Sequence, residues 1–437
     1  MTKILSKCLA LSLGALCFHI NAQVINLGSE VHPDDVSDNG VVTGSLGESY
    51  FKWDTQNGLQ NIGSVTNGYP LSGKASISAD GKKISATITN PNNNMNEMAL
   101  YDDATQNWSF LGGLSGNSDL SKSTSQGISS DGKTVVGLGW SNVSTAHPVK
   151  WTQESGILDL GSTVTGRSAR ANSVNKDDSV IAGWQDTESG MWSAALWKNG
   201  MQTLINEETE YGTLPLQELT AISDDGIWAV GSSIIGYATI WSEATGIIKI
   251  EHPDVSLETG FAGAATDVNS DGTVVVGYFR NSFVNPAPDS GEGFIWTPTT
   301  GRVELTAYAQ SLGIDTQGIK FNLPMGISPN GKYITGWGVK DDTSYIGFRL
   351  ELPAQSLASN SNSKKQISIY PNPVDDFLNI KGAHKISDLE LYDSTGRKVN
   401  VTLQQNNQLN VSKLPKGIYV LKGLFDNKMK SIKIIKK

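Results

Sequence analysis

Chemistry in this chain would have to come from a short inventory of side chains. Four histidines lie beyond the first 22 residues, His32, His147, His252 and His384, and both cysteines, Cys8 and Cys17, precede them. A thiolate nucleophile or ligand is therefore absent from the chain after residue 22. A His working with a Tyr would supply base and acid for a polysaccharide lyase, and paired carboxylates would serve a glycosidase. No spacing selects such a pair. Asp289-Ser290-Gly291 offers a serine with no placed His or Asp partner. Asp267-Val268-Asn269-Ser270-Asp271-Gly272 opens like a calcium loop, but its twelfth position is Tyr278 where a bidentate Glu is needed. The same spacing recurs elsewhere as a turn, so hairpin chemistry is expected, calcium is the weaker alternative, and no cofactor is called for. Aromatic residues give a further pattern. Trp184, Tyr278 and Trp337 each follow a Gly that ends a β-branched run, and Trp140 stands three residues after Gly137. Offsets of one and three share parity, so all four are expected on one strand face, either stacking on sugar rings or packing between sheets. With His147 they form the candidate ligand-binding set; no catalytic residue is assigned.

The elements that must position these residues come from a repeat. Seven times a β-branched residue is followed by Ser or Asn, a spacer, and Asp or Asn, usually with Gly next. The copies begin at Val36, Ile77, Ile128, Val174, Ile222, Val268 and Ile327, at intervals of 41, 51, 46, 48, 46 and 59 residues. Only Asp178 replaces the Gly. Periods of about 40 to 50 residues fit a four-stranded propeller blade. Strand a carries the anchor and the Asp-Gly turn leads into strand b, which ends in Gly. Strand c ends in Trp53, Tyr101, Trp151, Trp197, Trp241 or Trp296, with Leu350 in the last copy. A short turn then leads to strand d.

The seventh copy stops at Phe348-Arg349-Leu350 without a strand d, while Val24-Ile25-Asn26-Leu27-Gly28 matches the strand-d pattern ahead of the first copy. The expected fold is therefore all-β, a seven-bladed β-propeller over residues 23–352 whose N-terminal strand closes the last blade and leaves no exposed sheet edge. The a-to-b and c-to-d turns fall on one face of such a ring. The long segments Gly63 to Lys74, Gly112 to Gln126, Asn206 to Leu219, Arg280 to Glu292 and Ala307 to Leu323 fall on the other, as irregular loops and the expected binding face. Taken together, the Asp-Gly turn, Gly-ending strand b, aromatic strand c and Gly-ending strand d resemble the HAF-type extracellular repeat. Of its name triplet only the His survives, in His147-Pro148-Val149-Lys150-Trp151. The resemblance implies architecture rather than chemistry.

Residues 1–22 read as a signal peptide, with Lys3 and Lys7 ahead of an apolar run from Cys8 to Phe18 and Ala22 at the cut. Leu16 before Cys17 argues against a lipoprotein anchor, and no later run is long enough to span a membrane. The whole chain carries a net charge of −9. The leader lysines contribute +2, Lys364 and Lys365 +2, and residues 366–437, with 12 Lys or Arg against 6 Asp or Glu, +6, so residues 23–363 stand at −19. Such a field repels polyanions, and nucleic acid is not expected as a partner.

A polar stretch, 353–365, reads as linker. Beyond it come Ser368-Ile369-Tyr370-Pro371-Asn372-Pro373, Leu389-Glu390-Leu391-Tyr392-Asp393-Ser394-Thr395-Gly396-Arg397, Leu414-Pro415-Lys416-Gly417-Ile418-Tyr419-Val420-Leu421 and a final Lys-flanked β-branched strand. Alternation and turns predict a small Ig-like β-sandwich over 366–437. This series closely resembles the type A C-terminal sorting domain of the type IX secretion system of Bacteroidetes. The resemblance implies the type IX machinery as partner, transit through the periplasm, and release or display at the outer-membrane surface. The expected function is that of a secreted or surface binding protein, a monomer, whose loop face takes a glycan or a protein. A carbohydrate-active enzyme on the same scaffold, or a protein-binding adhesin, stands as the alternative.

Overall fold

The computed structural model describes residues 24–65, 73–117, 120–142, 144–281, 291–342, 344–353, 368–370, 374–381, 386–393, 397–401, 403–404, 407–425 and 428–437. The leader, most of the linker, Pro371 to Pro373, and parts of the loops 63–74 and 280–292, including Asp289-Ser290, lie outside the described residues. The chain divides into two compact units at Leu357 and Ala358.

Among the described residues the first unit is a propeller-like succession of seven antiparallel sheets. Sheet 4 is representative: strand a Ala169–Val174, b Val180–Asp186, c Trp192–Lys198 and d Met201–Leu204, paired in that order. The strand-a elements of the others are Val31–Val36, Ser76–Ile77, Ser123–Ile128, Gly212–Ile222, Phe261–Val268 and Ile319–Ile327. In the last sheet Val24–Ser29 takes the strand-d place, with Val24 opposite Leu350. Each strand a packs on the preceding sheet in chain order, and Val31–Val36 of the first sheet packs on Ile319–Ile327 and Tyr333–Lys340 of the last, so the succession closes on itself.

The repeat residues explain the local structure. The Ser or Asn after each anchor binds in two directions: Ser129 Oγ donates to Asp131 Oδ1 (2.7 Å) and accepts from Thr134 N (3.0 Å), and Asn175 and Asn269 do the same through their amides. Asp178, the exception in the repeat, adopts the left-handed conformation its glycine counterparts use, with φ +57°. The Gly ending strand b has a different cause. A Cβ on Gly183 would lie 2.0 Å from the Arg170 carbonyl oxygen, and the equivalent atoms on Gly137 and Gly231 would lie 2.0 and 1.9 Å from strand a. Strand a passes this close because it bulges there, between Ala171 and Ser173 in sheet 4 and at matching positions in five others. The bulged residue faces inward and ties its sheet to the next. Asn172 Nδ2 donates to Leu219 O (2.8 Å), Thr220 Oγ1 to Ala265 O (2.6 Å) and Thr266 Oγ1 to Pro324 O (2.8 Å). Each such bond contributes about 1 kcal/mol.

Two of the expected loops are regular structure. Asn206–Thr209 and the first half of Gly212–Ile222 form a hairpin, closed by Gly212 at φ +98°, and the second half of that long strand is strand a of sheet 5. The segment from 307 opens within a helix, Leu305–Ser311, whose N-cap Glu304 accepts from Thr306 N and Ala307 N and whose Leu305 and Ala309 are buried.

The second unit has two sheets, Ser368–Tyr370, Phe377–Lys381 and Gln408–Asn410 in one, and Lys398–Val399, Ile386–Asp393, Gly417–Phe425 and Lys428–Lys436 in the other. Leu378, Ile380, Leu391, Leu409, Tyr419, Leu421 and Ile434 form its core.

Candidate functional site

The bulged strands enclose two cavities that meet at Lys74, Gln126, Asn172 and Thr220. Toward the a-to-b turns the cavity is narrow, about 80 Å³, and is bordered by Asp35, Asp267 and Lys74. Asp267 Oδ2 accepts from Ile327 N (2.8 Å) and Asp35 Oδ2 from Ile77 N (2.9 Å), so each carboxylate reaches across to the next sheet. Burial pushes Asp267 up to about 7 and raises Asp35, with the Lys74 charge opposing. Asp34, whose Oδ2 accepts from Ala75 N at 3.3 Å, is likewise pushed up to about 7 by burial. For Lys74 burial works downward, but Asp35, Asp267 and Asp34 outweigh it and hold the ammonium above its usual range.

The second cavity, about 180 Å³, lies toward the b-to-c and d-to-a connections. Arg170 and Glu218 border it, from sheets 4 and 5, with their charged groups 3.6 Å apart. Arg170 Nε also donates to Asn172 Oδ1 (2.7 Å), and Asn172 Nδ2 reaches Glu218 Oε2 at 3.3 Å. Burial raises Glu218 and lowers Arg170, each partly offset by the other. Tyr278 closes the wall, its phenol raised by burial against the Arg280 charge, with Arg280 at 5.2 Å from its ring. The cavity combines three hydroxyls, two amides, the Lys74 ammonium and one compensated ion pair: a site for hydrogen bonding rather than proton abstraction.

The candidate residues scatter along this side of the sheets. Tyr278 lines the cavity. Trp184 lies behind it, 6% exposed, with Arg170 at 5.3 Å from one ring and Trp192 stacked at 4.6 Å and 8°. Trp337 stacks on His32 (3.7 Å) in a separate 70 Å³ pocket with Tyr345, and burial lowers His32. Trp140 is half-buried and borders neither cavity. His147 Nδ1 pairs with Asp159 Oδ2 at 2.8 Å across strands c and d of sheet 3. His252 packs against Phe261 and Phe279 and contacts Glu292 at 3.2 Å, a core arrangement. In the calcium-like segment Asp271 Oδ1 already accepts from Asn269, Thr273 N and Thr273 Oγ1. Among the described residues no cluster of three or more His, Asp or Glu has metal-binding geometry.

Arg170, Glu218 and Trp192 were not signalled by the aromatic offsets. The recurrent Gly of strand b was the available signal, because it marks the bulge that turns strand-a side chains inward.

Residues 368–437 match the family described as the secretion system C-terminal sorting domain. The C-terminal unit is a type IX secretion sorting domain. The protein is therefore exported, to the cell surface or beyond. No described helix is long and apolar enough to cross a membrane. No curated protein matches the chain. Similar solved structures include oligogalacturonate lyase from Vibrio parahaemolyticus, at 11% identity over 77% of this chain and 96% of that one, TM-score 0.48. Others are the Mitotic Checkpoint Complex (13%, 80% and 98%, TM-score 0.44) and TolB from Acinetobacter baumannii (12%, 76% and 80%, TM-score 0.40). Similarity of this degree assigns neither substrate nor partner.

Proposed function

We propose that residues 23–352 form a seven-bladed β-propeller of HAF-like repeats, carried to the surface of a Bacteroidetes cell by an Ig-like sorting domain, and that its loop-rich face binds a ligand without turning it over. The sorting domain is the part that meets the type IX machinery. The observation that carries the binding reading is the polar cavity at Arg170, Glu218 and Tyr278, which opens toward the connections expected to vary. The hydrogen bonds that occupy the carboxylates on the a-to-b side leave that face to structure.

The test is retention of the full chain on a panel of glycans and surface proteins. Trp192→Ala alters the loop side and Lys133→Ala the turn side. Retention lost with the first and kept with the second is expected; the reverse would move the site to the turns. A second reading, a lyase or hydrolase using His147, is favoured by its bond to Asp159, which would orient the imidazole as a base. It requires new reducing ends or unsaturated products from polysaccharide, and their absence at high enzyme loading would remove it.

A further inference from the structure

We infer that the loop-side cavity takes the hydroxyl-rich end of a neutral glycan chain, with the Trp192 indole as a platform for the sugar outside it. This rests on the binding reading above and names its ligand. The cavity, about 180 Å³, has room for roughly six waters, the scale of a single sugar ring and too small for a folded partner's loop. Its polar groups are those that read hydroxyls. The Tyr278 hydroxyl and the Gln126 amide border it and make no side-chain hydrogen bond among the described residues, so both are available to a ligand. Of its three charged groups, Arg170 and Glu218 compensate each other at 3.6 Å, and the third is Lys74. Deeper in, Asp35 and Asp267 flank Lys74, so no net positive field draws an anion.

The platform is built outward from the same residues. Arg170 covers one face of Trp184, Trp192 stacks on that ring, and Trp192 itself is 39% exposed. The succession Glu218, Arg170, Trp184, Trp192 therefore runs continuously from the cavity to solvent. An indole held this firmly offers a flat apolar surface at little entropic cost, which suits the C–H face of a pyranose whose hydroxyls meet the cavity.

The experiment measures binding of the full chain to neutral gluco-, xylo-, manno- and galacto-oligosaccharides, with oligouronates as the charged arm. Tyr278→Phe removes one hydroxyl and is expected to weaken a neutral ligand about tenfold, the equivalent of one hydrogen bond. Trp192→Ala is expected to weaken it tenfold or more, and both variants should keep the wild-type melting temperature within a few degrees. Neutral binding indifferent to both substitutions, uronate binding alone, or no binding by folded protein overturns the inference. Retention on surface proteins with a blank glycan panel sinks the ligand class and leaves the loop face standing. Glycan binding lost only in Lys133→Ala sinks the loop face itself.

Discussion

Asp34 occupies the bulge of the first strand a, where its carboxyl accepts from Ala75 N and titrates near 7 because burial outweighs the Lys74 charge. An unfolded Asp titrates near 4. The folded pKa is thus raised, so between these values the folded chain holds a proton that the unfolded chain has lost, and stability falls as pH rises through that window. From pH 5.5 to 8.5 the unfolded carboxylate stays ionised while the folded one gives up its proton, a loss of about 2 kcal/mol from this group. For a unit of about 330 residues the unfolding entropy is about 0.7 kcal/mol per degree, which converts that loss into about 3 °C. Asp34→Asn keeps an oxygen for the Ala75 N–H and cannot titrate. Thermal unfolding of the full chain by circular dichroism at both pH values should show the wild type falling about 3 °C further than the variant. Equal falls would mean that Asp34 ionises at an ordinary pKa, and the burial assigned to its carboxyl would be wrong.

Other substitutions test the repeat chemistry. Gly183→Ala, which drives a Cβ against the Arg170 carbonyl, should cost about 3 kcal/mol or more by chemical denaturation, whereas Gly156→Ala, at φ +66° with open space around it, should cost only about 1 kcal/mol. Ser129→Ala removes all three bonds of a buried hydroxyl and should destabilise by about 1 to 3 kcal/mol on the same assay. Deleting residues 24–29 leaves the edge of Ser344–Glu351 unpaired, so the truncated chain should associate in sedimentation while the intact chain does not.

Much of the first unit was legible because its signals are local. An Asp-Gly turn and a Gly pressed against a bulged neighbour leave their mark within a few residues, and the strand-d pattern at Val24 stands out against six others like it. The hairpin at 206–222 was hidden because Asn206-Glu207-Glu208-Thr209 lacks the β-branched pattern, though Glu207 is 2% exposed. The helix at 305–311 was hidden by its brevity, a single capped stretch of seven residues. At the site, parity counting put Trp184 and Tyr278 on one strand face; Tyr278 lines the cavity and Trp184 does not, and counting along one strand could not show that Trp192, from the next strand, covers Trp184. Nothing within their own strands marks Arg170 and Glu218 in the sequence. Their burial depends on a bulge, which resets the alternation, and on a neighbouring sheet some 48 residues away in sequence, the interval between anchors Val174 and Ile222.

The central claim, a ligand held at the inner end of the loop-rich face, is tested most directly by hydrogen exchange on the full chain with and without the best-retained neutral oligosaccharide. Protection should concentrate in peptides covering 168–172, 184–194, 216–220 and 276–280, around Arg170, Trp192, Glu218 and Tyr278. Protection confined to the a-to-b turns near 131–134 and 177–180, or to 368–437, would contradict it.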